Sequence, residues 1–298
     1  MIDKLKSYGI SENLLNDLQK FRDFYKVDEE VQDRIFEPTD FFFGVDVWEK
    51  CIYSLLNGQN LLLVGGKATG KNILSDNLAF AFGRPKWTIS FHNYIDADDL
   101  IGVDTYKKGE VVFRPGSITN VARYGGFGVL DEINMAKNEA ISVLYSALDY
   151  RRLIDVSGYD IVKLKEDARF ISTINYGYLG TKELNEALVS RFAVIQMPDI
   201  SKGLLLEIFR SKFENVNEEG ISILSDLFLS IQDKAKNGQI SSRAVDLRGL
   251  FSAVKLNRNG LNIKKALEIF ISGKVFDEYE RQLVTDLINL NVSDNLKL

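Results

Sequence analysis

One cysteine, one histidine and four prolines are all that these 298 residues contain of three residue types around which small scaffolds and metal centres are built. With Cys51 alone, an internal disulfide and a cysteine-based zinc cluster are excluded. With His92 alone, no histidine pair exists for a catalytic metal. Any metal must therefore be held by carboxylates, amides and phosphates. Long uncharged apolar runs are also missing, and no apolar stretch follows Met1–Lys6, so the expectation is a cytoplasmic protein without a membrane span. A basic excess is missing too. The 37 Lys and Arg are outnumbered by 42 Asp and Glu, a net charge of −5, which argues against a general nucleic-acid binder. Within residues 1–43 the count is six basic against ten acidic, so most of the negative excess precedes the first glycine-rich loop. What is present is ordinary globular material, 45% hydrophobic and 27% charged, enough for two domains with separate cores.

The stretch Leu61-Leu62-Leu63-Val64-Gly65-Gly66-Lys67-Ala68-Thr69-Gly70-Lys71-Asn72-Ile73 organises the chain. An apolar run enters a small-residue loop, and a helix is predicted to leave it. The spacing matches G-x-x-x-x-G-K, in which backbone N–H groups curl around an anion at a helix N-terminus and the lysine neutralises β- and γ-phosphates. The residue after the lysine departs from the pattern. Asn72 stands where Ser or Thr would place a hydroxyl on Mg²⁺; an amide oxygen is also a hard donor, so Asn72 is a candidate Mg²⁺ ligand, with ATP binding expected to survive and turnover to be modest.

Around this loop, apolar strands alternate with amphipathic segments. Leu14, Leu15, Leu18 and Phe21 predict short helices before residue 34, either as a packing extension or as a partner-binding arm. Strands are predicted at Asn60–Val64, Trp87–Phe91, Phe127–Leu130, Phe170–Ile174 and Ala193–Met197, hairpins at Val103–Phe113 and Leu153–Leu164, and one long helix over Glu139–Asp149. Strands apolar on both faces, separated by helices, predict a parallel sheet covered on two sides. From Ser201 the pattern is helical throughout. The expected organisation is a helical N-terminal extension at 1–43, an α/β nucleotide-binding core at 44–199 and an all-α domain at 200–298.

Ligands of open parallel sheets bind beyond the carboxyl ends of the strands. Lys71 and the pair Asp131-Glu132 are thereby expected in one crevice, Asp131 as a Mg²⁺ ligand and Glu132 as the base for an attacking water. Asn175, ending the next apolar strand, is a candidate for positioning that water or the terminal phosphate. Arg191, in Ser190-Arg191-Phe192, is a candidate for stabilising charge on a neighbouring subunit's phosphate. Arg243, expected at the N-terminus of a helix, is a candidate nucleotide sensor, because a cation there opposes the helix dipole unless an anion joins it.

Gly65–Lys71, Asp131-Glu132-Ile133-Asn134, Asn175, Ser190-Arg191-Phe192 and Ser242-Arg243 together resemble the AAA+ ATPases. Asp98-Asp99-Leu100-Ile101-Gly102, the Phe113–Gly116 segment and Leu144-Tyr145-Ser146-Ala147-Leu148-Asp149 are similar to the MoxR-like branch, related to the CbbQ/NirQ and GvpN proteins and to dynein-type AAA domains. The resemblance covers roughly residues 44–255. It implies a P-loop AAA+ core with two β-hairpin insertions and an all-α lid, ATP and Mg²⁺ as ligands, and a homo-oligomeric ring, expected to be a hexamer, with ATP between subunits. It also implies adenine packing near Gly44-Val45, catalytic roles for Glu132, Asn175, Arg191 and Arg243, and a chaperone-like motor acting on a protein client, with a partner carrying a von Willebrand A-type domain as the candidate. Two other readings stay open at this point: a nucleotide-gated assembly factor with weak hydrolysis, and a DNA-acting motor supported only by Lys107, Lys108, Arg151 and Arg152.

Overall fold

The computed structural model describes residues 1–155, 160–175 and 184–298. Helices α1 (Ile2–Tyr8) and α2 (Glu12–Phe24) lead through a 3₁₀ turn at Glu29–Arg34 to α3 (Val45–Leu56), β1 (Asn60–Gly65), α4 (Lys71–Ala81) and β2 (Lys86–Ser90). A short α5 (Ala97–Ile101) precedes the hairpin β3 (Gly102–Lys107) and β4 (Glu110–Pro115), followed by α6 (Ser117–Tyr124) and β5 (Phe127–Asp131). Then come α7 (Asn138–Ser142), α8 (Tyr145–Leu148), β6 (Leu153–Ile154), β7 (Val162–Lys163), β8 (Arg169–Asn175), α9 (Glu186–Val189) and β9 (Phe192–Gln196). The remainder is helical: α10 (Lys202–Lys212), α11 (Glu218–Lys236), α12 (Leu247–Arg258), α13 (Ile263–Phe270) and α14 (Glu278–Asn291).

Five strands form one parallel sheet in the order β2-β5-β8-β1-β9. Alternation along each strand sends side chains to opposite layers. Leu62 and Val64 of β1 enter one core with Trp87, Ile89, Leu130 and Phe170, whereas Leu61 and Leu63 enter the other with Ile171, Ile195, Leu74 and Leu78. Both layers are apolar, which is why the strands read as unbroken hydrophobic runs. The second layer also takes Leu5, Leu14, Leu15, Leu18 and Phe21, so α1 and α2 share a core with α3, α4 and the sheet. The α/β fold with its hairpins is the expected one, but the predicted long helix over Glu139–Asp149 is two short helices. Leu144 N–H bonds to Ile141 O, a tight i to i−3 turn that interrupts the α-helical ladder. The β6/β7 hairpin pairs Leu153 with Lys163 and Ile154 with Val162; its expected tip at Ser157-Gly158 lies outside the described residues.

The chain divides into two units: Met1–Gly66 with Gly70–Met197, and Pro198–Leu298 with Lys67–Thr69. The helical unit owes its helix boundaries to side-chain caps. Ser201, Asn217, Asp246, Asn262 and Asp277 each accept a backbone N–H from the first turn of α10 to α14, and such caps contribute about 1 kcal/mol apiece. Its core gathers Leu205, Phe209, Leu224, Phe228, Leu250, Leu267 and Val284.

Candidate functional site

In the parallel sheet, β1, β5 and β8 all end on one side, and their last residues are Gly65, Asp131 and Asn175. Gly65 stands opposite Asn175 in the β1/β8 register, and Leu130 opposite Ser172 in β5/β8. That register, which spans more than forty residues of sequence, brings the polar ends together. Thr173 Oγ1 donates to Asp131 Oδ1 at 2.6 Å and accepts the Glu132 N–H at 3.0 Å. Asn175 Nδ2 donates to Glu132 Oε1 at 2.7 Å. Asn72 Nδ2, from the first turn of α4, donates to Asp131 Oδ2 at 2.9 Å. Both carboxylate oxygens of Asp131 are thus held by neutral donors. Glu132 adopts φ 55°, a left-handed conformation uncommon for a non-glycine residue, and its backbone N–H is held there by Thr173.

Gly70 caps α4 in a left-handed conformation (φ 82°), and a Cβ added there would lie 3.1 Å from the Phe42 ring. The backbone conformation favours glycine, and any side chain would make the Phe42 ring give way. Lys71 is buried, and its Nζ donates to Gly65 O at 2.9 Å and Gly66 O at 2.8 Å. Burial lowers its pKa to about 8, against the pull of Asp131 and Glu132, which raise it. This set fits a nucleotide and its cation. The lysine ammonium and the N-terminal N–H groups of Lys71, Asn72 and Ile73 are anion donors, while one carboxylate beside an amide is the sparse protein share that Mg²⁺ accepts when phosphates and water complete its shell. Among the described residues no group of three or more His, Cys, Asp or Glu is placed to hold a metal.

The other loop residues group with the helical unit. Lys67 Nζ donates to Ser242 O at 3.3 Å and burial lowers its pKa; Ala68 packs on the helical core and Thr69 is buried. Arg243 belongs to that unit as well. The expectation that it begins a helix is corrected: it lies in a 3₁₀ turn, Ser242–Ala244, and α12 begins at Leu247 with Asp246 as its cap. The Arg243 guanidinium sits 4.9 Å from the ring centre of Phe276. Arg191 is not bonded to the Asp131 cluster. It lies over the Tyr145 ring at 4.8 Å and reaches Tyr145 O, Ala187 O and, at 3.7 Å, Asp149. Of the four basic residues beside the hairpins, Arg151 is paired with Asp149, and Arg152 donates to Lys165 O and Ala168 O.

Thr173 is a site residue that the local motifs do not single out. The sequence shows it only as part of the polar pair Ser172-Thr173 inside an otherwise apolar strand, and of the two only Thr173 finds partners, since Ser172 Oγ has none among the described residues.

A glycine-rich loop between β1 and α4, facing an Asp-Glu pair at the end of β5, defines a P-loop nucleotide-binding protein. The family described as AAA domain (dynein-related subfamily) matches residues 60–192. Among relatives, the uncharacterised protein YojN of Bacillus subtilis is 32% identical over 246 residues, covering 79% of each chain. An uncharacterised protein of Staphylococcus haemolyticus is 32% identical over 248 residues, covering 81% of this chain and 93% of its own. A crystal structure of a presumed ATPase from Cytophaga hutchinsonii aligns over 93% of this chain and 97% of its own, at 17% identity and a TM-score of 0.45. The chain belongs to the AAA+ ATPases. Among the described residues, no helix is long and apolar enough to cross a membrane.

Proposed function

We propose that this AAA+ ATPase is a MoxR-like motor that hydrolyses ATP in a homo-oligomeric ring, expected to be a hexamer, and uses the cycle to remodel a protein client, a partner with a von Willebrand A-type domain being the candidate. The observation that carries the hydrolytic part is the bonded cluster of Asn72, Asp131, Glu132, Thr173 and Asn175 at the sheet's carboxyl edge. Lys71 would bind the terminal phosphates. Asp131 and Asn72 would hold Mg²⁺, which supplies charge to offset that of the phosphates. The Asn72 carboxamide divides between two atoms what a hydroxyl does with one: Nδ2 donates to Asp131 while Oδ1 stays available to a cation. Glu132 is the group that takes the proton from an attacking water, and Asn175 holds its carboxylate in place. Arg191, half-buried on its own subunit, is the candidate to reach a neighbour's nucleotide, and Arg243 the candidate to sense nucleotide from the helical unit.

Support for a protein client comes from the β3/β4 hairpin, where Tyr106 and Val111 pair across the two strands, share one face and are 78% and 69% exposed. An exposed apolar pair on a hairpin suits transient grip on polypeptide. The engagement of Arg151 and Arg152 with their own chain weakens the DNA reading. The test is the Glu132→Gln protein. It is expected to bind ATP with wild-type affinity, release phosphate at least a hundredfold more slowly, and sediment as a ring with ATP. Undiminished phosphate release would remove Glu132 from the mechanism, and a monomer at all ATP concentrations would remove the ring.

A further inference from the structure

The N-terminal helix reaches the nucleotide site through a short aromatic strap. Asp131 ends β5, on one side of β1, whereas α3 packs against β1 and β9 on the other. The start of α3 thus meets the phosphate loop on the side of β1 away from Asp131, where the Phe42 ring lies against Gly70. The residues standing there are Phe42, Phe43 and Gly44. Phe42 lies under Gly70 and is pinned on both sides, its N–H donating to Asn77 Oδ1 at 3.3 Å and its carbonyl accepting Trp48 Nε1 at 2.9 Å. Gly44 is different. It sits at φ 143°, in a region that its own sterics do not select, so its peptide orientation must be imposed from outside.

Part of that constraint comes from α1. Tyr8 Oη accepts the Gly44 N–H at 2.8 Å, and the Tyr8 ring meets Phe43 edge-on at 5.7 Å and Phe41 at 5.2 Å. Resting on the nucleotide-site reading above, we propose that Tyr8 is a positioning residue for the nucleoside end of bound nucleotide, fixing the Gly44 peptide and making the N-terminal helix a working part of the site. The phosphate end is set by the loop itself and does not depend on Tyr8.

The experiment is calorimetric titration of the full chain and its Tyr8→Phe variant with Mg-ATP and, separately, with Mg-tripolyphosphate, which has the phosphates but no nucleoside. Loss of one hydrogen bond with the ring retained is expected to weaken ATP binding roughly three- to tenfold and leave tripolyphosphate unchanged. Unchanged ATP binding, or equal weakening of both ligands, overturns the proposal, the latter showing general loosening. A wild-type chain that binds neither ligand overturns the nucleotide-site reading itself; one that binds both equally overturns only the role given to Tyr8.

Discussion

Lys71 is expected to make nucleotide binding pH-sensitive near pH 8. Its ammonium is buried against the carbonyls of Gly65 and Gly66, and burial outweighs the stabilising pull of Asp131 and Glu132, leaving a pKa of about 8 in the free protein. Nucleotide phosphates bind the protonated form. The sign follows: raising pH through 8 removes the binding-competent lysine, so affinity falls, and binding in that range takes up a proton. With a pKa of about 8 the competent fraction is roughly 0.9 at pH 7 and roughly 0.1 at pH 9, so the dissociation constant for Mg-ATP is expected to rise about tenfold between them. Titration calorimetry at pH 7, 8 and 9 measures this, and repeating the pH 8 titration in buffers of different ionisation enthalpy reads the proton uptake directly. Lys71→Arg is the control, because a guanidinium stays charged throughout. It is expected to bind more weakly at every pH, since its fork does not fit a pocket shaped for an ammonium, but with a flat profile. A flat wild-type profile, or a parallel fall in Lys71→Arg, would refute the argument.

Two further outcomes are expected. Asn72→Thr restores a hydroxyl beside Asp131 and should raise the steady-state rate of phosphate release roughly three- to tenfold; equal and brisk rates would show that the carboxamide serves as well. Away from the site, Arg84 and Asp167 form an ion pair exposed by only 1% and 3%, with Arg84 also donating to Tyr25 O at 2.7 Å. Asp167→Ala strands that guanidinium and should cost about 3–5 kcal/mol in urea unfolding, whereas a loss below about 1 kcal/mol would mean the arginine finds water instead.

The parts of this protein that the sequence by itself determined are those written in local spacing. Gly65–Asn72 announces a phosphate loop because the glycines and the lysine act within eight residues of one another. Asp131-Glu132 and Asn175 announce a crevice because each follows an apolar run, and runs apolar on both faces imply a covered parallel sheet with its chemistry at the carboxyl edge. The helical unit was legible from its periodicity. Tertiary structure alone decided how those residues are held. Thr173 reaches Asp131 and Glu132 only because β8 lies beside β5 in one register, and a shift of one residue would have turned its hydroxyl to the other layer. Arg243 stands in a 3₁₀ turn above Phe276 rather than at a helix start, a matter of where the cap at Asp246 falls. Tyr8 meets Gly44 across thirty-five intervening residues, because α1 and α3 share the core beneath the sheet. Spacing in a chain encodes contacts within a turn or a strand; contacts between elements depend on register and packing, which no local pattern contains.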